Sequence, residues 1–100
     1  MNNLINIGLT NETIEKLINE YEEPFVDGIN NNIDNTSKIF DLIKAFGIEN
    51  INDYILNHFD IFLLKYKDIK NLIMQADLDN LKREIIEDND YLAEYIMDNI

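Results

Sequence analysis

One hundred residues at 46 % hydrophobic content describe one folded domain, even though 20 acidic residues outweigh 8 basic ones and leave a net charge of −12. The absence of Cys excludes disulfides, thiolate metal sites and cysteine nucleophiles. The longest apolar run, Ile61-Phe62-Leu63-Leu64, falls far short of the roughly 20 residues a membrane-spanning helix needs, and residues 1–8 show no signal-peptide pattern. The expected compartment is therefore a reducing cytoplasm.

Residues 4–9, Leu-Ile-Asn-Ile-Gly-Leu, read as a short apolar lead-in. Thr10 is a good N-cap, and Glu12 and Glu15 lie near the positive end of the helix it starts. Ile14, Leu17, Ile18 and Tyr21 share one face of that helix, and Pro24 is expected to stop it. Phe25 and Val26 follow as an apolar plug. Residues 27–35, rich in Asn with Gly28, read as a loop. Asn35 or Thr36 should cap a second helix with Ile39, Phe40, Leu42, Ile43 and Phe46 inward, closed by Gly47. Glu49 or Asn50 opens a third with Ile51, Tyr54, Ile55 and Phe59 inward, and Ile61–Leu64 form a second plug. Residues 65–76 make a fourth helix. Asp79 is expected to cap a fifth, and the turn Glu87-Asp88-Asn89-Asp90 leads into a last one carrying Tyr91, Leu92, Tyr95 and Ile96. No stretch sustains a period of two. The expectation is an all-α fold of about six short helices without a sheet, stacked as two to three helical-hairpin repeats in a short α-solenoid or compact bundle.

The repeat rests on self-comparison at a shift of 30 residues, which pairs Ile39 with Ile69, Leu42 with Leu72, Ile43 with Ile73, Ile48 with Leu78 and Ile51 with Leu81. It continues without a gap through Ile55 and Ile85, Leu56 and Ile86, Asp60 and Asp90, to Phe62 and Leu92. With an amino-terminal segment that joins at a shift near 39, the units run approximately over 4–27, 36–64 and 66–97, all within one domain, 1–100.

The segments Gly8-Leu9-Thr10, Pro24-Phe25-Val26, Phe46-Gly47-Ile48 and Phe59-Asp60-Ile61-Phe62-Leu63-Leu64 mark the ends of these units. A helix ending in Gly-Ile or Gly-Leu, a polar cap, a second helix and an acidic-aromatic plug resembles the repeat of mitochondrial transcription termination factors (mTERF proteins), over most of the chain. The resemblance implies a stack of helix pairs, each followed by a 3₁₀ turn, and nucleic-acid binding on a basic concave face.

The charge is distributed unevenly. Residues 1–34 hold seven acids against Lys16, residues 35–70 hold five acids and five lysines, and residues 71–100 hold eight acids against Lys82 and Arg83. Both ends repel phosphate. Nucleic-acid contact is therefore confined to the middle, where Lys65, Tyr66, Lys67 and Lys70 form the one basic-aromatic cluster, with Lys38 and Lys44 as further candidates. The acidic turn of Glu87, Asp88 and Asp90 is the candidate contact for a protein partner with a basic surface. The heavy use of Asn and Ile reads as codon bias of an AT-rich genome, such as a low-GC bacterium or its phage, without chemical meaning.

No catalytic set, cofactor site or metal site emerges. His58 stands without a second His or any Cys, and reads as a partly buried, hydrogen-bonded helix residue. Ser37 has no nearby base and reads as a helix-start residue. Asp77-Leu78-Asp79 begins like a calcium loop but lacks its Gly and distal Glu. The primary expectation is thus a non-enzymatic acidic interaction module, a regulator or inhibitor docking a basic partner. The alternative is an mTERF-like nucleic-acid binder using the central lysines. A third possibility is an array that dimerises through exposed plug residues such as Phe62.

Overall fold

Helical spacing governs the backbone from end to end. The computed structural model describes residues 1–100 and is 79 % helical, with eight α-helices, one 3₁₀ helix and no strand. The helices are α1 (Asn2–Asn6), α2 (Asn11–Tyr21), α3 (Glu23–Asn31), α4 (Ile33–Ala45) and α5 (Ile51–Asn57). The 3₁₀ helix (Phe59–Leu63) follows, then α6 (Tyr66–Gln75), α7 (Leu78–Glu87) and α8 (Tyr91–Asn99). The radius of gyration is 13.2 Å, close to the roughly 13 Å of a compact 100-residue domain, so the helices form a globule and not an extended array.

Several boundaries follow the sequence signals. Thr10 Oγ1 accepts from the Thr13 N–H and caps α2, and Asn50 Oδ1 accepts from the Asp53 N–H and caps α5. Gly8 and Gly47 take φ of +114° and +89°, the left-handed backbone that a helix exit favours.

Other boundaries correct the expectations. The supposed loop over residues 27–35 is helical apart from a turn at Asn32, belonging to α3 and the start of α4. Pro24 does not end a helix: it lies in the first turn of α3, where its missing N–H costs nothing and its fixed φ favours helix initiation. The break falls at Glu22, which takes φ of +74°. Residues 2–6 of the lead-in form α1. The count of about six helices therefore rises to eight. Neither Asn35 nor Thr36 is a cap. Thr36 is buried within α4, where its hydroxyl donates to the Ile29 carbonyl at 2.8 Å and so joins α3 to α4. Ser37 likewise lies inside α4, not at its start. The cap of α7 is Asp77, whose Oδ1 accepts from the Asn80 N–H; Asp79 lies in the first turn.

The core is one continuous cluster drawn from every element, with Phe40, Phe59 and Phe62 its largest fully buried side chains. Phe40 and Phe62 meet edge to face at 4.9 Å between ring centroids. Phe62 is 2 % exposed and cannot be a dimerisation surface. The first plug divides, with Val26 buried and Phe25 half exposed. Helix α2 packs on α3 and α5, α4 on α3 and α6, and α8 joins α6, α7 and the 3₁₀ helix.

Asparagine turns out to carry chemistry that composition alone hides. Asn35 Nδ2 donates to the Leu64 carbonyl at 2.9 Å while its Oδ1 accepts from the Tyr66 N–H at 2.7 Å. Asn52 does the same to another segment, donating to the Gly8 carbonyl at 3.2 Å and accepting from the Thr10 N–H at 3.0 Å. Each amide mimics a peptide group and clamps the chain just before a helix begins. Asn30 Oδ1 accepts from the Leu4 N–H and anchors α1. These contacts satisfy backbone groups that no helix can satisfy at its own ends.

Candidate functional site

The four residues of the basic cluster sit at the start of α6. Lys65 precedes the helix, and Lys67 and Lys70, three apart and exposed, share one of its faces. Tyr66 is half buried, and its backbone N–H donates to Asn35 Oδ1. From α4, Lys38 Nζ stands 6.0 Å over the centre of the Tyr66 ring, at the outer limit of a cation–π contact. The fold therefore brings Lys38 to the cluster. It also places a cation over one face of the aromatic ring, so that face is not free to stack a base.

The acidic turn connects α7 to α8 and is partly consumed by the fold. Asp88 Oδ1 accepts from the Asp90 N–H at 3.0 Å, closing the turn. Asp90 Oδ1 lies 2.7 Å from His58 Nε2, which donates to it across 32 residues of sequence. Only Glu87 has no internal partner among the three residues. One helical turn before His58, the Tyr54 hydroxyl accepts the Ala93 N–H at 3.1 Å, one of the N–H groups left over at the start of α8. The Tyr54 and His58 rings stand 4.8 Å apart. Burial raises the Tyr54 pKa well above its ordinary value, opposed by the Ala93 hydrogen bond and reinforced by Asp90, Asp88 and Glu94. His58 and Tyr54 thus fasten α8 to α5.

A third feature has no counterpart in any linear motif. A hollow of about 210 Å³ opens where Tyr21, the 3₁₀ helix and α8 meet, and a second of about 150 Å³ adjoins it beside Phe25 and Leu63. Tyr21 and Phe59 stack at the junction, 4.4 Å between ring centroids and 23° between planes. The Tyr21 pKa is raised, first by burial and then by the carboxylates of Glu20 and Asp60.

Charge pairing within the fold is sparse. Of the twenty acids, Glu12 alone pairs with a Lys or Arg, at 3.1 Å from Lys16, and Asp90 alone with His58. No three His, Asp or Glu side chains converge at metal-ligand spacing. No helix is long and apolar enough to cross a membrane. No family model, no curated protein and no solved structure matches the chain.

Sequence reasoning missed Lys38 as a partner of Tyr66, the His58–Asp90 link and the Tyr21–Phe59 hollows. All three join residues about 30 or more apart, where neither helical period nor cap chemistry leaves a signal.

Proposed function

We propose that this protein is a small acidic helical interaction module, a regulator or inhibitor that docks a basic surface of a partner protein in the cytoplasm, and not an enzyme. The observation that carries this reading is the surplus of unpaired carboxylates: eighteen of twenty acids have no cationic partner within the fold, so the field they create is directed outward. Such a field accelerates encounter with a basic partner and disfavours nucleic acid and anionic lipid. The reading predicts that the immobilised protein retains, from its native lysate at about 50 mM salt, a set of proteins with higher isoelectric points than the input, released by raising salt. A retained set with the same charge distribution as the input overturns it.

The second reading, an mTERF-like nucleic-acid binder, is supported by the gathering of Lys38, Lys65, Lys67 and Lys70 around the start of α6. It predicts binding of DNA or RNA that salt and Lys65→Glu both weaken sharply. No gel shift at about 50 mM salt removes it.

A further inference from the structure

We propose that the groove formed by the two hollows on Tyr21 and Phe59 seats a short amphipathic segment of a basic partner protein, an apolar side chain entering against Phe59 and flanking Lys or Arg side chains meeting Asp60, Glu94 and Asp98. This rests on the acidic-module reading and names the part of the surface that does the docking.

Three observations converge on this groove. The first is shape. The hollows of about 210 and 150 Å³ share Tyr21, Phe59 and Asp60 and so lie side by side at the Tyr21–Phe59 stack. Each is smaller than the roughly 300–1,000 Å³ of a small-molecule pocket, a size suited to single side chains and not to a cofactor. The second is the uncovered apolar surface at its edges. Phe25 is 51 % exposed, Leu63 47 % and Met97 45 %, three of the eight large apolar side chains left in water; Met97 lines the first hollow, Phe25 and Leu63 the second. Aromatic residues and Met are the types that concentrate at the centre of protein interfaces. The third is charge. Asp60, Glu94 and Asp98 rim the groove, no Lys or Arg lines it, and none of the three acids has an ion-pair partner.

Together the features select the occupant. An apolar floor alone accepts any apolar side chain, but a carboxylate rim with no internal cation favours Lys and Arg beside it. A second copy of this chain is a poor occupant. A symmetric pairing would bring the same acidic rim to both sides, on protomers that each carry −12. Phosphate-bearing partners meet the same repulsion.

The test uses the full-length ¹⁵N-labelled protein and a synthetic helical peptide of Leu and Lys, with Leu at i, i+3, i+4 and i+7. A second peptide replaces every Leu by Ser at unchanged charge. The Leu peptide is expected to bind and to shift amide signals of residues 21–25, 59–63 and 93–98. The Ser peptide should bind about tenfold more weakly, as loss of an interface anchor does. Phe25→Ser with Leu63→Ser, both at exposed positions, should weaken the Leu peptide about tenfold with helical circular dichroism unchanged. Asp60→Lys with Asp98→Lys should do the same. The control pair Glu15→Lys with Asp79→Lys, of equal charge change but outside the groove, should cost less than about twofold. Binding with shifts centred elsewhere, or equal affinity for both peptides, overturns the groove while leaving the acidic module standing. Binding of neither peptide at about 50 mM salt overturns both readings. Concentration-dependent dimerisation abolished by Phe25→Ser and Leu63→Ser assigns the groove to a second copy and overturns the basic-partner occupant.

Discussion

The segments 33–63 and 66–99 carry the same apolar spacing, yet the fold treats them differently. At the shift of 30, Ile39 and Ile69 are both fully buried, as are Ile55 and Ile85, and Phe62 and Leu92. The pairs part at two positions, one in the turn before α5 against the start of α7, the other near the ends of both helices. Ile48 is buried and Leu56 half buried, whereas Leu78 is 43 % and Ile86 82 % exposed. The reason is a neighbour. Helix α2 lies against α5, but α7 has α8 as its main contact. An apolar stripe on a helix is therefore a request for cover that the sequence states twice and the fold grants fully once. The two segments also differ in how they are fastened. Asn52 and Asn35 clamp the first to α1–α2 and to α6, while Tyr54 and His58 hold α8 from outside the second.

The comparison breaks most visibly in the core. Phe62→Ala should cost about 3–5 kcal/mol and Leu92→Ala about 2–5 kcal/mol in denaturant unfolding, because both sites are closed on all sides. If Leu92→Ala cost under about 1 kcal/mol, the second segment would be loosely packed throughout and not merely at α7.

The unequally covered pairs should then diverge. Ile48→Ala is expected to lose about 2–4 kcal/mol. Leu78→Ala, at the matching position, should lose less than about 1 kcal/mol, and Ile86→Ser should stay within about 0.5 kcal/mol. Equal losses at Ile48 and Leu78 would show that α7 is covered in solution.

The clamps come next. Asn35→Ala removes two hydrogen bonds at the junction of the two segments and should cost about 1–3 kcal/mol. Amide hydrogen exchange sharpens the prediction: the Tyr66 N–H, held by Asn35, should exchange faster in this variant while amides of α2 keep their protection. Uniform loss of protection would mean that the clamp supports the whole fold.

The smallest effect is confined to alkaline solution. The folded protein holds the Tyr54 proton more tightly than the unfolded chain, whose tyrosine titrates near 10.0. That contribution is fully present below about pH 10 and is lost as pH rises beyond it, with a slope of about 1.4 kcal/mol per pH unit. Tyr54→Phe should be less stable at pH 8, having lost the acceptor for the Ala93 N–H, but should show a shallower decline from pH 10 to 11. Parallel declines for both proteins would remove Tyr54 as the source.

The fold class was legible because helical periodicity, caps at Thr10 and Asn50, and glycines 8 and 47 are local signals that a short window contains. The misread region, 23–36, shows where local signals conflict. Pro24, Gly28 and a run of Asn favour a turn on intrinsic grounds. Burial of Val26 and Ile29, together with the hydrogen bonds of Asn30 to Leu4 and of Thr36 to Ile29, outweighs that preference. The candidate residues show the same division. The lysines of α6 and the acids of the α7–α8 turn were visible as charges, but Lys38 over Tyr66 and Asp90 under His58 were not.

By itself, then, the sequence determined that the chain is helical, where α2, α5, α6 and α8 begin, which faces are apolar and how the charge divides, because each depends on residues within one or two helical turns. The tertiary structure alone decided which apolar faces are covered, which asparagines clamp distant segments, and that Tyr21, Phe25, Phe59, Leu63 and Met97 line two adjoining hollows edged by acids. Those outcomes depend on contacts between elements far apart in the chain, whose energies no local pattern records.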